Sequence, residues 1–350
     1  MYMGHGADLK QSLKKYQLES LEDYSSNVNI FHSDKVETIL RSISPKDLSV
    51  YPDIEYTDLR GKISQRYGIQ SDQIIVGNGS TEIIFAVMGL DAVQTVGIIN
   101  PTFSEYARAA ELSGKDIVNF YYDQDFGIDV DAINLEKIDI LFVCNPNNPS
   151  GNLNPLGDLL EQCKKHNTIL FVDETFMEFT GKGEYSLLEK VQACEHLFVL
   201  KAVTKFHSLT GVRLGYGFSS KQIISELWTK KQPWTINVFA EKLVDVIFDD
   251  EFERKTVDFF QAEIPWYENQ LKAMENIKVY PTTSNYFLLK IKSGLLADQV
   301  KERLIKNHGI LIRDCSNYKG LDNTHIRVNI KSRESNLRLL EALKKELSNE

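Results

Sequence analysis

The sequence predicts an α/β protein with a large part built on a mostly parallel sheet between helices, followed by a smaller α+β unit. Three observations carry that expectation. Short strands that are apolar along their length, such as ILFVC at 140–144 and TILFVD at 168–173, alternate with helical patterns. Strands without polar alternation are those covered on both faces of a parallel sheet. Each strand ends at a turn or breaker signal, and such sheets bind ligands beyond the carboxyl ends of their strands. After about residue 235 the alternation gives way to long helical stretches and then a compact run of strands and helices.

The elements follow in order. Residues 1–30 are polar with little periodicity and read as an arm or a short helix. VETILRSI (36–43) and DLRGKISQRY (58–67) are helical by apolar spacing. IIVGN (74–78) is a strand stopped by Gly77 and Gly79, and Ser80 is placed to cap the helix TEIIFAVMGL. TVGIIN is a strand ended by Pro101, FSEYARAAELSG a helix closed by Gly114, and DIVNFYY a strand. IDILFVC, TILFVDE and HLFVLKA are strands, with the helix LGDLLEQCKKHN between the first two. Residues 237–275 form one or two helices that Pro265 should kink or divide. KVYPTTSNYFLLKI, ILIRDC and THIRVNI are strands; ADQVKERLIKNHG and SRESNLRLLEALKKELS are helices. The domains expected are an arm at 1–30, a large domain at 31–240 and a small one at 241–350.

Composition excludes several functions. Lys plus Arg is 40 and Asp plus Glu is 49, so the net charge of −9 argues against general nucleic-acid binding. No apolar stretch reaches the ~18 residues of a membrane span, and the start, MYMGHGADLKQ, lacks a secretory h-region. Cys144, Cys163, Cys194 and Cys315 form no CxxC pair and read as reduced core thiols of a cytoplasmic protein. Cys163 and His166 have a C-x-x-H spacing that nothing completes, so a helix surface is the better reading and no metal is expected.

Four strand ends carry chemistry. Gly77-Asn78-Gly79-Ser80-Thr81 offers backbone amides and hydroxyls at a helix start, a cradle for phosphate as readily as a tight turn. It matches neither the dinucleotide nor the P-loop fingerprint, which argues against a nicotinamide dehydrogenase. Asn145 to Gly151 (NPNNPSG) is denser in Asn and Pro than a turn needs; its amides either satisfy local backbone or face a ligand. Asp173 ends an apolar strand, and a buried carboxylate needs a partner or a cation. Glu174 beside it points to the other face. LKAVTKFHSLTGVRLGYG holds Lys201, Lys205 and Arg213, and a lysine among apolar residues can act as a nucleophile toward carbonyls. Singly, each has an ordinary structural explanation. Together, a phosphate cradle, an amide, a carboxylate and a Schiff-base lysine are the set that pyridoxal 5'-phosphate requires.

At these residues the sequence resembles the fold-type I pyridoxal-phosphate enzymes over nearly its whole length, on NPNNPSG, VDE and T-K-F-x-x-x-x-G-x-R-x-G-Y in that order. Within them it is similar to the histidinol-phosphate aminotransferase-like group. GHGAD, DYSSNVN, KKQPWTINVFA and ILIRDCSNYKGLDNTHIRVNIKS tilt it toward the threonine-phosphate decarboxylases. The resemblance implies an aspartate-aminotransferase-like fold and a homodimer. It implies decarboxylation of O-phospho-L-threonine to an aminopropanol phosphate for cobalamin; the alternative is transamination of histidinol phosphate or an aromatic amino acid with 2-oxoglutarate. Intact Lys205, Asp173, Asn148 and Arg213 argue against a non-catalytic sensor.

By the resemblance, Lys205 carries the cofactor, Asp173 pairs with its pyridine nitrogen and Asn148 with its ring oxygen. Gly79, Ser80, Thr81 and Arg213 hold its phosphate, Phe103 stacks on its ring, and Tyr51 reaches it across the dimer interface. His5, Gly6, Asn27, Asn148, Arg313 and Arg327 surround a small phosphorylated amino-acid substrate. The two arginines lie 14 residues apart on neighbouring strands and could converge. Two departures stand out. Ala202 replaces a phosphate-binding serine, a loss that Thr204 or Lys201 could offset. Phe176 replaces the tyrosine of the aminotransferases, as in the decarboxylases.

Overall fold

The computed structural model describes residue 6 and residues 8–348. A short helix, α1 (Leu9–Tyr16), and a two-residue strand, β1 (Glu22–Asp23), open the chain. Helices α2 (Lys35–Ser42) and α3 (Thr57–Tyr67) follow. The large sheet is then laid down as β2 (Ile74–Asn78), β3 (Thr95–Asn100), β4 (Asp116–Tyr121), β5 (Ile140–Cys144), β6 (Ile169–Asp173), β7 (Leu197–Ala202) and β8 (Leu214–Phe218). Helices α4 (Ser80–Val87), α5 (Glu105–Leu112), α6 (Gly157–Lys165) and α7 (Lys221–Lys230) accompany it.

The strand order is β2-β8-β7-β6-β5-β3-β4. Only β8 runs antiparallel to its neighbours. The strands β5, β6 and β7, apolar but for Asp173 and Lys201, are buried at every residue, as two-sided cover requires. Register stacks Phe142, Phe171 and Phe198 across these three strands, with ring centroids 4.4 and 4.8 Å apart. That ladder fixes the strand ends relative to one another, and with them the residues the ends carry.

Helix α8 (Val238–Leu243) buries Ala240 and Leu243 in the core beside the large sheet, and the smaller unit contains α9 (Asp250–Lys272), β9 (Ile277–Val279), β10 (Tyr286–Ile291), α10 (Ala297–His308), β11 (Ile310–Leu311), β12 (Arg313–Asp314), β13 (His325–Asn329) and α11 (Arg333–Leu347). Its antiparallel sheet has the order β12-β13-β10-β9. β1 pairs in parallel with β11, so the amino-terminal segment docks on this unit. The seven-stranded sheet thus falls within 31–240 and the four-stranded sheet within 241–350.

Several elements differ from the sequence expectation. The region 214–218, read only as part of a lysine-bearing loop, is the strand β8. Its glycines hide the strand signal because they serve packing: a β-carbon at Gly215 would lie 2.3 Å from the Ser80 amide, and one at Gly217 would lie 2.5 Å from the Phe198 ring. Pro265 does not divide the 237–275 region; it lies inside α9. The division comes at Asp249, whose side chain accepts from the Phe252 amide (3.2 Å). α9 is held instead by its buried face, Phe252, Phe260, Tyr267 and Leu271, which offsets the hydrogen bond that proline removes. The stretch 278–291 is a hairpin rather than one strand. ILIRDC splits at Ile312 because its two halves join different sheets. Gly79, not Ser80, occupies the cap position of α4. All four cysteines are buried free thiols.

Candidate active site

The carboxyl ends of the large sheet open onto a cavity of about 230 Å³. Its wall takes residues from each of the motif-bearing strand ends, from the amino-terminal segment and from the small sheet.

At the end of β2, Gly79 has φ +76°, and a β-carbon there would lie 2.2 Å from the Arg213 guanidinium. Only glycine lets the chain turn beneath that side chain. Arg213 itself has φ +61°, an uncommon conformation for a branched-free side chain held at a site. Ser80 and Thr81, the first residues of α4, line the same wall. A helix N-terminus, two hydroxyls and a guanidinium around a glycine form an anion cradle.

The NPNNPSG turn divides its asparagines between two roles. Asn145 and Asn154 exchange side-chain-to-backbone bonds of 2.9 Å. Asn147 donates to the Pro101 carbonyl (2.9 Å) and Ser150 Oγ (2.8 Å) and accepts from Thr102 (2.9 Å). Those two are spent on holding the turn. Asn148 alone lines the cavity, where its Oδ1 accepts from Arg327 and from the Tyr318 hydroxyl (3.1 Å).

Asp173, at the end of β6, is buried and accepts three hydrogen bonds: from Tyr106 OH (2.7 Å), Thr175 N (3.0 Å) and Thr175 Oγ1 (2.5 Å). Burial pushes its pKa up, and those bonds together with the Lys201 charge oppose the rise. Sequence reasoning missed Tyr106; it lies inside an amphipathic helix, where a buried tyrosine looks like core. Glu174 points the other way, as alternation requires, and pairs with Lys201 at 3.2 Å.

Lys205 reaches the cavity with its ammonium donating to the Ser26 carbonyl (2.7 Å). Its pKa is lowered to about 8, by burial first and then by the Arg327 charge; Asp23 pulls it back up, and Arg213 adds a smaller lowering. A fraction of roughly a tenth is therefore neutral at pH 7, far more than for an exposed lysine. Thr204 also lines the cavity. Lys201 does not, because Glu178 (2.9 Å) and Glu174 hold its ammonium on the opposite face of the sheet. It is thus not placed to make the contact that Ala202 lacks.

From the small unit, Arg327 donates to the Ser25 carbonyl (2.7 Å), to Asn148 and to Tyr318 OH (3.3 Å), and its Nε has no hydrogen-bond partner among the described residues. Arg313 lies directly opposite Arg327 in the β12–β13 register. Arg313 is nevertheless not among the cavity-wall residues; its guanidinium lies over the Tyr318 ring (5.2 Å), with Nη2 donating to Asn317 (2.7 Å). Tyr318 stands between the two arginines. Asn27 lines the cavity, and among the described residues neither of its buried side-chain polar atoms has a hydrogen-bond partner. Gly6 is also on the wall; a β-carbon there would lie 2.2 Å from the Ser25 carbonyl and 3.5 Å from Arg327 Nη2. His5 lies outside the described residues. Phe103 and Phe176 supply apolar surface. Tyr51 is 80% exposed and packs on Trp234 (5.1 Å), away from the cavity of its own chain.

The donor set fits a phosphate-bearing aldehyde cofactor: an anion cradle at one end, a buried carboxylate, and a lysine whose ammonium has no carboxylate against it.

The comparisons agree. The chain is 38% identical over 317 residues to a protein assigned as threonine-phosphate decarboxylase from Caldanaerobacter subterraneus subsp. tengcongensis, covering 88% of this chain and 86% of that one. It is 29% identical over 349 residues to the histidinol-phosphate aminotransferase of the same organism, covering 97% of each. The solved histidinol-phosphate aminotransferase of Clostridium acetobutylicum superposes with a TM-score of 0.88 at 30% identity, over 94% of this chain and 100% of the other. That of Sinorhizobium meliloti, solved with pyridoxal 5'-phosphate, superposes with a TM-score of 0.84 at 16% identity, over 99% and 95%. The family model for class I and II aminotransferases matches residues 23–343, and its cofactor is pyridoxal 5'-phosphate. With that match spanning most of the chain, this protein belongs to the class I and II aminotransferase family.

Proposed function

We propose that the protein decarboxylates O-phospho-L-threonine to (R)-1-aminopropan-2-yl phosphate, a precursor used in cobalamin synthesis, as a cytoplasmic homodimer. The observation that carries the reading is the place of Gly6 on the cavity wall. Gly6, from the GHGAD sequence that resembles the decarboxylases, packs against Ser25 and within reach of the Arg327 guanidinium. The greater identity to the decarboxylase relative than to the aminotransferase of the same organism supports it.

In this reading the cradle of Gly79, Ser80, Thr81 and Arg213 holds the cofactor phosphate. Asp173 keeps a proton at the pyridine nitrogen, Asn148 donates to the ring oxygen, Phe103 covers one ring face, and Tyr51 reaches the site of the second subunit. Bound there, pyridoxal 5'-phosphate supplies a ring that accepts the electron pair left at the substrate Cα. Arg327, Asn27 and the amino-terminal segment hold the substrate phosphate, with Arg313 behind Tyr318. Gripping the phosphate rather than the carboxylate would leave the Cα–carboxylate bond unheld by the arginines. That bond breaks to release carbon dioxide. Lys205, in its ammonium form, then gives a proton to Cα. Phe176 contributes no phenol to compete for the ring oxygen.

The test is carbon dioxide release from O-phospho-L-threonine by cofactor-loaded protein with no keto acid present, measured together with the amine product. Stoichiometric release of both is the expected result. No release, with amino transfer from histidinol phosphate once 2-oxoglutarate is added, would overturn the reading.

A further inference from the structure

Behind the cavity lies a charged cluster that the proposed reaction does not use. Lys201, on β7, presents its ammonium to the sheet face away from the site, buried and 2.9 Å from Glu178 Oε1 and 3.2 Å from Glu174 Oε2. Glu174 is fully buried. Its other bonds come from Ser186 Oγ (2.6 Å) and the Leu187 amide (2.9 Å), and its own amide donates to the Leu200 carbonyl (2.8 Å). The rings of Tyr67 and Tyr216, hydroxyls 2.8 Å apart, complete the enclosure.

The two carboxylates bracket a five-residue segment, 174–178. Two of its interior residues face forward: Thr175 makes two of the three hydrogen bonds to Asp173, and Phe176 is part of the cavity wall, whereas Met177 lines the rear pocket beside Lys201. A single cation behind the sheet thus pins both ends of the segment that orients the front carboxylate. We propose that Lys201 is a positioning residue for the cofactor: by joining Glu174 to Glu178 it fixes Thr175 and Phe176, and through Thr175 the Asp173 carboxylate. The groups facing Asp173 are Tyr106 from α5, Cys144 from β5 and Thr175. Lys201 is the cation that draws it toward its charged form against burial. The outer groups of the cluster, His207 and the Arg66–Glu253 pair, lie beyond Glu178.

The inference rests on the placement of Asp173 against the cofactor, and the test separates the two. Cofactor dissociation constants and the pH titration of the cofactor's visible band are measured for Lys201→Met, Lys201→Arg and Asp173→Asn, with melting of each apoprotein. Lys201→Met is expected to weaken cofactor binding on the order of tenfold and to move the acid transition of the band to higher pH. Lys201→Arg is expected to recover binding to within about threefold, since it keeps the charge. A lower apoprotein melting temperature with unchanged cofactor affinity and titration in Lys201→Met would make the cluster a structural element only and overturn the inference. If Asp173→Asn loosens the cofactor while Lys201→Met does not, the inference alone falls; if both are silent, the placement of Asp173 falls with it. Should Lys201→Met not fold, Glu178→Gln, which removes the partly exposed partner, is read the same way. A roughly two- to threefold loss of affinity supports the proposal and no loss overturns it.

Discussion

Lys201 and Lys205 are four residues apart, the first buried and the second partly buried at the cavity wall, and they are held in opposite ways. Lys201 meets two carboxylates, whose charges raise its pKa despite burial. Lys205 meets a backbone carbonyl and two guanidinium neighbours, and its pKa falls to about 8. Desolvation acts against the ammonium at both positions. The partner set decides the sign, so one lysine is a fixed structural charge and the other a base near neutrality.

The largest expected break of this contrast is at Lys205. Lys205→Ala is expected to lower turnover by at least about a thousandfold, measured as carbon dioxide release, because the proposed reaction loses its nucleophile and proton donor together. The same site tests the pKa. Below pH 8 the folded chain carries a desolvated ammonium that the unfolded chain hydrates, so the cost to stability is fully present there. Between pH 8 and the ordinary 10.5 the unfolded chain binds a proton that the folded chain does not, so stability rises with pH. An apoprotein with Lys205→Met should therefore be up to about 3 kcal/mol more stable than its parent at pH 7. That gain should vanish as the pH approaches 10.5 in urea titrations. A gain independent of pH would show that Lys205 is not desolvated.

Lys201 should respond the other way. Removing it strands Glu174 without a counter-charge in a buried site, and Lys201→Met should cost the apoprotein about 3–5 kcal/mol by denaturant unfolding. A change below about 1 kcal/mol would mean that water reaches the pair.

The paired arginines sharpen the comparison at a smaller scale. Arg327→Lys should reduce kcat/KM for phosphothreonine by roughly 10- to 100-fold, since a lysine cannot span Asn148 and the Ser25 carbonyl as the guanidinium does. Arg313→Lys should cost less, because Tyr318 stands between it and the cavity. Equal losses would show that Arg313 swings inward when substrate binds. The smallest effect is expected at Phe176. Phe176→Tyr should move the visible-band titration to lower pH with a change in melting of under about 1 kcal/mol, as the added hydroxyl faces the cavity.

The strand ends were legible in the sequence because each is a local signal: an apolar run, a breaker, and then an unusual residue. Gly79, Asp173 and Lys205 needed no distant information to be singled out. Arg313 and Arg327 show where local reading stops. Both sit on strands and are exact register partners, yet only one guanidinium reaches the cavity, since Tyr318 from the intervening loop takes the other. Tyr106 was silent for a similar reason: its hydroxyl finds Asp173 across 67 positions of sequence. Asn145, Asn147 and Asn148 are alike on paper, and only the folded turn assigns two to holding the turn and one to the cavity.

What the sequence alone determined is the alternation of buried strands and helices, hence the sheet, and the order of reactive residues along its edge, because apolar periodicity and breaker residues act over a few positions. What only the tertiary structure decided is which of those residues share a volume and what charge each feels. The strand β8 emerged only there, since its glycines are set by neighbouring backbone and ring rather than by strand propensity. The opposite fates of Lys201 and Lys205 emerged there as well. A pKa depends on the charges and solvent within a few ångströms, and those neighbours come from elements far apart in the chain.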